Sequence, residues 1–322
     1  MKKLVISIVT WNSEHTIERC LESVLSQSFK DYDLFVVDNN SSDNTCQIIE
    51  KFEDERIKLI RLKHNTGFCG GHNHSINSTD SEFILLVNPD IVFKENYISN
   101  ALYKINEDEQ IGTVCGLLLQ DENSYEKQVI DSTGLALSRG GRMQLLNHGK
   151  YLQDVKLVGK EVFGADGALP LYRRTMIEDV SIDGNYFDEI FFAHKEDWDV
   201  SWRAHNLGWK TFFEPLCVAI HPRHFKPNST SYRKKISKDI TFHAVKNQLI
   251  LLVKNVLIPK DIFQLPIIIT RQLLIFIYIL VLERQSLSAY NFVLRNMSMI
   301  FTKRKKQMMK LKNKKRNLVQ SV

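Results

Sequence analysis

Phe83-Ile84-Leu85-Leu86-Val87-Asn88-Pro89-Asp90 is the stretch from which the fold is read. An apolar run passes directly into a polar turn that ends in a carboxylate. A parallel strand buried on both faces has this continuous apolar character, and ligands of open α/β sheets gather just beyond the carboxyl ends of such strands. Asp90 therefore stands where a metal-diphosphate would sit, although a strand ending in Pro-Asp is by itself an ordinary turn signature. Its weight comes from the sequence on either side.

Upstream, Leu4-Val5-Ile6-Ser7-Ile8-Val9-Thr10 is a second apolar, β-branched run, ended by Trp11-Asn12-Ser13-Glu14. Thr16 to Ser26 then places Ile17, Leu21, Val24 and Leu25 at helical spacing, so a helix covers the sheet. Tyr32 to Asp38 predicts another strand, closed by the acidic, Asn/Ser-rich loop Asn39-Asn40-Ser41-Ser42-Asp43, with Asp43 placed to cap a short helix over about 44–52. Ile57 to Leu62 opens a third cycle, followed by a loop that carries Gly67, Gly70 and Gly71, residues that let backbone approach a phosphate or sugar. Strands alternating with helices predict a right-handed, Rossmann-like, mostly parallel doubly wound sheet with one chemically loaded edge. No Gly-Lys-Ser/Thr follows these glycines and their spacing is not the dinucleotide fingerprint, which sets aside an ATPase and a nicotinamide enzyme.

Thr10-Trp11-Asn12, Val37-Asp38-Asn39-Asn40-Ser41-Ser42-Asp43, Asn65-Thr66-Gly67-Phe68 with Gly71 and Asn73, and Asn88-Pro89-Asp90, in this order and spacing, resemble the inverting family 2 glycosyltransferases of the GT-A fold. The last two motifs are closest in form to the rhamnosyltransferase-like branch, which builds bacterial cell-surface polysaccharides. The likeness covers roughly residues 3 to 225. It implies that Asp38 accepts from the pyrimidine imide, that Thr10 and Asn12 line the base and ribose pocket, and that Asn65, Gly67 and Asn73 frame the nucleotide-sugar. Asp90 corresponds to the last carboxylate of the family's Asp-x-Asp signature, a ligand for Mg²⁺ or Mn²⁺. Asn88 stands where that signature has its first Asp, which removes a charge and calls for a second ligand; His221, after the apolar Val218-Ala219-Ile220, resembles the family's metal-binding histidine.

From about Lys195 the segment Glu196-Asp197-Trp198-Asp199-Val200-Ser201-Trp202-Arg203 reads as a helix, with Trp198, Trp202 and His205 on one face and Asp199 spaced to pair with Arg203. Glu196 and Asp197 fall at its N-terminus, where unpaired amides favour the anion. The family's Glu-Asp pair at this place carries the catalytic base, which implies Asp197 in that role with Glu196 as the alternate. One base and one metal-neutralised leaving group suffice for a single inverting displacement. The small-residue segment Gly164-Ala165-Asp166-Gly167-Ala168 matches a loop that lies against the donor sugar, with Asp166 as a contact, and Trp198 is the candidate platform for the acceptor.

Of 322 residues 43% are hydrophobic and 25% charged, enough for a large core and about two domains: a catalytic unit over 1–225, with a nucleotide-sugar half to about 130 and an acceptor half over 131–225, then a helical extension over 226–322. The five cysteines, 20, 46, 69, 115 and 217, are scattered and read as reduced. The apolar run after Lys3 stops at Val9 and is the first strand, so no signal peptide is read there and a cytoplasmic protein is expected. Residues 223–322 hold 21 Lys/Arg against 3 Asp/Glu, while the rest holds 22 against 34. Apolar segments in that basic tail are interrupted by Lys254, Lys260, Pro266 and Arg271, and the longest unbroken piece, Gln272 to Leu282, has 11 residues, short of the roughly 20 that span a bilayer. Helices lying in the membrane interface, with the basic cluster around 303–316 on anionic lipid at the inner face of the cell membrane, are therefore expected. The partners implied are a nucleoside-diphosphate sugar and a glycan or lipid-linked glycan, with no nucleic acid. A catalytically idle nucleotide-sugar-binding protein and a nucleotidyltransferase are the alternatives.

Overall fold

The computed structural model describes residues 2–123, 127–222, 237–257 and 262–320, the side chains of 315–320 excepted. The chain begins β1 (Leu4–Thr10), α1 (Ile17–Leu25), β2 (Tyr32–Asp38), α2 (Thr45–Ile49), β3 (Ile57–Arg61), α3 (Gly67–Asn77) and β4 (Phe83–Val87). It continues through β5 (Val92–Phe93), α4 (Tyr97–Asn106), β6 (Ile111–Leu119), β7 (Ile130–Ser132), the hairpin β8 (Leu135–Ser138) and β9 (Arg142–Leu145), and β10 (Lys160–Val162). Then come β11 (Leu171–Arg173), α5 (Arg174–Val180), α6 (Glu196–Asn206) and β12 (Lys210–Ile220). The main sheet runs β10-β12-β6-β11-β4-β1-β2-β3. The half formed by β4-β1-β2-β3 is parallel as the sequence predicts; β11 runs antiparallel to both β4 and β6, so the sheet as a whole is mixed.

Alternate side chains of a strand point to opposite faces, and this sorts the core. Leu4, Ile6, Ile8, Phe83, Leu85 and Val87 pack under α1 and α4, whereas Ile84 and Leu86 join α3, α5 and α6 on the other face. All five residues of β4 are buried, as its unbroken apolar run requires.

One expectation is corrected at α3. The glycines read as a phosphate-approaching loop lie on this helix: a Cβ on Gly71 would stand 2.6 Å from Val9 Cγ1 and one on Gly70 2.5 Å from Thr66 Cβ. Gly71 is there so that α3 can press onto β1, and neither glycine is shaped for an anion.

The extension comprises α7 (Lys238–Asn255), α8 (Leu265–Leu282), α9 (Leu287–Arg295) and α10 (Met297–Gln320). The boundary placed at 225/226, Lys260 and the side chains of Lys315 and Arg316 lie outside the described residues. Ile250, Leu251, Val293 and Ile300 share a core with Trp202 and Ala204 of α6, so the extension is built into the catalytic unit. Part of the basic cluster is turned onto the chain itself. Lys303 donates to Asp188, Lys306 to Asp183 and Lys314 to Asp179, and Arg304 donates to the carbonyls of Val253, Lys254 and Val256. Among the described residues, three lysines of α10 thus pair with carboxylates of the acidic part of the chain. Pro266 does not break α8, because in the first turn its missing N–H leaves no bond unmade. The apolar helix runs over Ile262–Leu282, 21 residues at mean hydropathy 2.3 with 11% buried, long and apolar enough to cross a membrane by length and composition.

Candidate active site

The ends of β1 and β2 are in register at Thr10 and Asp38. Thr10 Oγ1 donates to Asp38 Oδ1 at 3.1 Å, and Ser41 donates its N–H (3.0 Å) and hydroxyl (2.5 Å) to the same carboxylate. Asn12, at φ 51°, accepts from the Ser42 N–H at 2.8 Å and so braces the same loop. Asn65 Oδ1 accepts from the N–H of Gly67, whose φ of 71° suits glycine. Asn39, which the motif contains but to which no role was given, joins the two loops: its Nδ2 donates to Gly67 O at 2.9 Å and its Oδ1 accepts from Thr66. Asn73 holds the backbone of Phe187 from both sides, donating at 2.9 Å and accepting at 2.9 Å. Both ends of its amide are taken up in steadying the loop ahead of α6.

Metal-type donors meet where β4 ends. β5 pairs antiparallel with the end of β12, Val92 opposite Ile220, and this brings the loop of Asp90 to His221. His221 Nε2 lies 3.7 Å from Asp90 Oδ1, while its Nδ1 lies 2.8 Å from Asp131 Oδ2. Asp131 is fully buried, and its other oxygen is 3.4 Å from His148 Nδ1. A carboxylate that takes one ring nitrogen fixes the tautomer and turns the other toward a metal. Burial opposes charge on His221, but the Asp131 hydrogen bond and the fields of Asp90, Asp131 and Asp166 outweigh it and raise its pKa. The donor set, one carboxylate and one oriented imidazole beside an amide, fits Mg²⁺ or Mn²⁺ whose remaining ligands are diphosphate oxygens. Among the described residues no group of three or more His, Cys, Asp or Glu could hold a metal without such help.

The third component is α6. The Asn88 N–H donates to Ala168 O at 2.9 Å, and the neighbouring Gly167 N–H donates to Asp197 Oδ2 at 3.3 Å. Asp197 Oδ1 also accepts its neighbour's N–H at 2.8 Å. The loop 164–168 therefore joins the end of β4 to the start of α6. Asp166, 8% exposed, accepts from Ala168 N–H, and its charge reaches both His221 and Glu196. Glu196 departs from expectation: burial first, then the charge of Asp197, raise its pKa well above the carboxylate range, and its Oε2 has no hydrogen-bond partner among the described residues. The helix terminus does not overcome that desolvation, so burial favours the neutral form of Glu196, while Asp197 is the carboxylate aimed by two N–H groups. Trp198 is 8% exposed and stacks on Phe163 at 6.2 Å, which makes it core and not an acceptor platform.

Phe192, His194 and Lys195, just before α6, all have φ between 65° and 70°. Such backbone persists only where its surroundings hold it. Asn247 on α7 does so, donating to the carbonyls of Phe191, Ala193 and His194 at 3.0, 2.8 and 2.6 Å. Below, Lys254 Nζ lies 2.6 Å from Asp188 and 3.0 Å from Asp199, and Arg203 pairs with Asp199 at 3.0 Å as the helical spacing predicts. Neither Asp131 nor Asn247 belongs to a local motif; both become visible only once distant segments fold together.

The family model described as glycosyl transferase family 2 matches residues 5–181, more than half of the chain. The chain belongs to glycosyl transferase family 2. Curated relatives include poly-beta-1,6-N-acetyl-D-glucosamine synthase of Staphylococcus aureus (strain COL), 20% identical over 222 residues, 68% of this chain and 49% of that protein. The Staphylococcus epidermidis protein of the same name is 22% identical over 222 residues, 67% of this chain and 49% of its own. This family 2 chain thus spans about half the length of these relatives. Among solved structures, GalNAc-T7 with UDP, GalNAc and Mn²⁺ superposes at a TM-score of 0.60, with 14% identity over 79% of this chain and 48% of that one. The mannosyltransferase PcManGT of Pyrobaculum calidifontis, in complex with GDP-Man and Mn²⁺, gives 0.55, with 15% identity over 92% and 75%. These two establish the GT-A fold of this family member.

Proposed function

We propose that this protein transfers a sugar, with inversion, from a nucleoside-diphosphate sugar to a hydroxyl of a lipid-linked glycan during synthesis of a bacterial cell-surface polysaccharide, working at the inner face of the membrane. The observation that carries the reading is the pairing of Asp90 with His221, itself oriented by Asp131, on the same sheet edge as Asp197 and the donor-facing loop 164–168.

Asp38, Thr10 and Asn12 hold the base and ribose, with Asn65 and Gly67 shaping the loop beside them. Asn88 and Asp166 face the donor sugar. Asp90 and His221 hold Mg²⁺ or Mn²⁺, which when bound neutralises the charge that gathers on the departing diphosphate. Asp197 takes the proton of the acceptor hydroxyl as its oxygen attacks the anomeric carbon, and two N–H groups keep that carboxylate aimed. Glu196, whose pKa burial raises, is the alternate base.

Rhamnose is our reading of the donor sugar, from the form of the motifs around Asn65 and Asn88. The Mn²⁺ complexes of structural neighbours with UDP and GDP-Man support a divalent ion and a nucleotide-sugar in general. The exposed apolar face of α8 supports attachment to the membrane. The test is a panel of nucleotide-sugars with Mn²⁺ and a lipid-linked acceptor, scored by release of nucleoside diphosphate. Asp197→Asn is expected to lower turnover by about 10²–10⁴ with nucleotide binding retained. Turnover unaffected by that change removes the base assignment, release of pyrophosphate shows a nucleotidyltransferase, and donor binding without turnover shows an idle protein.

A further inference from the structure

Behind Lys195, among α7, α8 and α9, lies a cavity of about 400 Å³. That volume is in the range of small-molecule sites. Its polar lining is Lys195, Gln248, Arg271, Gln272, Tyr278 and Tyr290, with no carboxylate among the described lining residues. Leu249, Leu274 and Ile275 supply an apolar wall.

The polar lining is unfinished. Gln248 Nε2, Arg271 Nη1, Gln272 Nε2 and the Tyr290 hydroxyl are buried without a hydrogen-bond partner among the described residues. Native proteins leave few such atoms, and here they gather around one space. Lys195 donates to Gln248 Oε1 at 2.6 Å, which leaves the amide's nitrogen end unanswered. Burial, then the positive charge of Arg271, press the Lys195 pKa down to about 8. Two cations and several spare donors, with no carboxylate among the described lining residues and Asp197 alone acting on Lys195 from outside the lining, call for an anion with several oxygens, and a guanidinium is suited to a phosphate. The position adds meaning. Lys195 immediately precedes Glu196 and Asp197, and the apolar wall continues onto the solvent-facing side of α8, where Leu274 is 62% and Leu273 55% exposed.

We infer that this cavity binds the phosphate or diphosphate head of an amphiphile whose hydrocarbon chain lies along α8, and so holds the acceptor's carrier beside Asp197. The role given to the occupant rests on the transferase reading; the binding itself does not.

The test is calorimetric titration of the full-length protein in a neutral detergent with decyl phosphate, decyl glucoside and inorganic phosphate. Saturable binding of decyl phosphate is expected, with inorganic phosphate at least tenfold weaker and decyl glucoside weaker still. Arg271→Gln is expected to weaken decyl phosphate at least tenfold, Arg271→Lys less, and Tyr290→Phe, which removes only a hydroxyl, severalfold. Equal binding of decyl glucoside, or undiminished binding by both Arg271→Gln and Tyr290→Phe, overturns the proposal. Equal binding of inorganic phosphate overturns the lipid occupant in favour of a free anion. UDP with Mn²⁺, titrated into the same proteins, reports separately on the donor site: its failure to bind wild type counts against the transferase and leaves the cavity result standing.

Discussion

Asp131 decides what His221 can offer, because the buried carboxylate 2.8 Å from Nδ1 leaves only Nε2 for a metal. Asp131→Asn is expected to weaken Mn²⁺ binding about 10- to 100-fold, measured by titration in the presence of UDP. The same carboxylate contributes to the raised His221 pKa, and a metal must displace that proton. Mn²⁺ affinity should therefore fall as pH drops through the raised value, with a shallower fall in the Asn variant. Without metal, the raised pKa stabilises the fold below the ordinary imidazole value, and that contribution is lost as pH rises through the folded one. Glu196 gives a second residue-scale expectation. Since burial favours the neutral form of its side chain, Glu196→Gln should cost far less turnover than Asp197→Asn in the same assay. Asp90 and His221 were legible because each closes an apolar strand. Asp131 was not, since nothing in its neighbourhood marks it as the partner of a histidine ninety positions on.

At the scale of elements, α6 is held from below by charges that never reach solvent. Lys254 is fully buried between Asp188 and Asp199, and removing one partner of such a cluster leaves the others uncompensated. Lys254→Met is expected to cost about 3–5 kcal/mol, read from the urea midpoint. Burial raises the Asp188 pKa, but Lys254 and Lys303 overcome it and hold the group below the usual carboxylate range; Asp199 is lowered likewise by Lys254 and Arg203. This contribution is present above the ordinary Asp value near 4 and fades as pH falls toward the depressed ones, so acid unfolding should begin only below about pH 4. The apolar strands could be read directly, whereas α3 and the unbroken length of α8 could not. Glycine disfavours a helix by about 1 kcal/mol per residue, and α3 forms despite Gly67, Gly70 and Gly71 because close packing on β1 overrides that cost. For α8, Pro266 looked like an interruption, although at a helix start it is none.

For the molecule as a whole, the division between an acidic first part and a basic last hundred residues is met in part by pairing within the chain. Lysines of α10 pair with Asp179, Asp183 and Asp188, and Leu311 packs into the core beside α6. Deleting 297–320 should lower the thermal midpoint and expose apolar surface, seen by scanning fluorimetry with a hydrophobic dye; an unchanged midpoint would mean that α10 adds nothing to the fold. The sequence revealed the charge imbalance but not its partner, because complementarity between surfaces has no local signature. The grip of Asn247 on the carbonyls of Phe191, Ala193 and His194 has a practical corollary for engineering. Hybrids that exchange segments between related enzymes should keep the stretch preceding Asp197 and the helix bearing Asn247 from a single parent, since a crossover between them separates a twisted peptide from the amide that keeps it in shape.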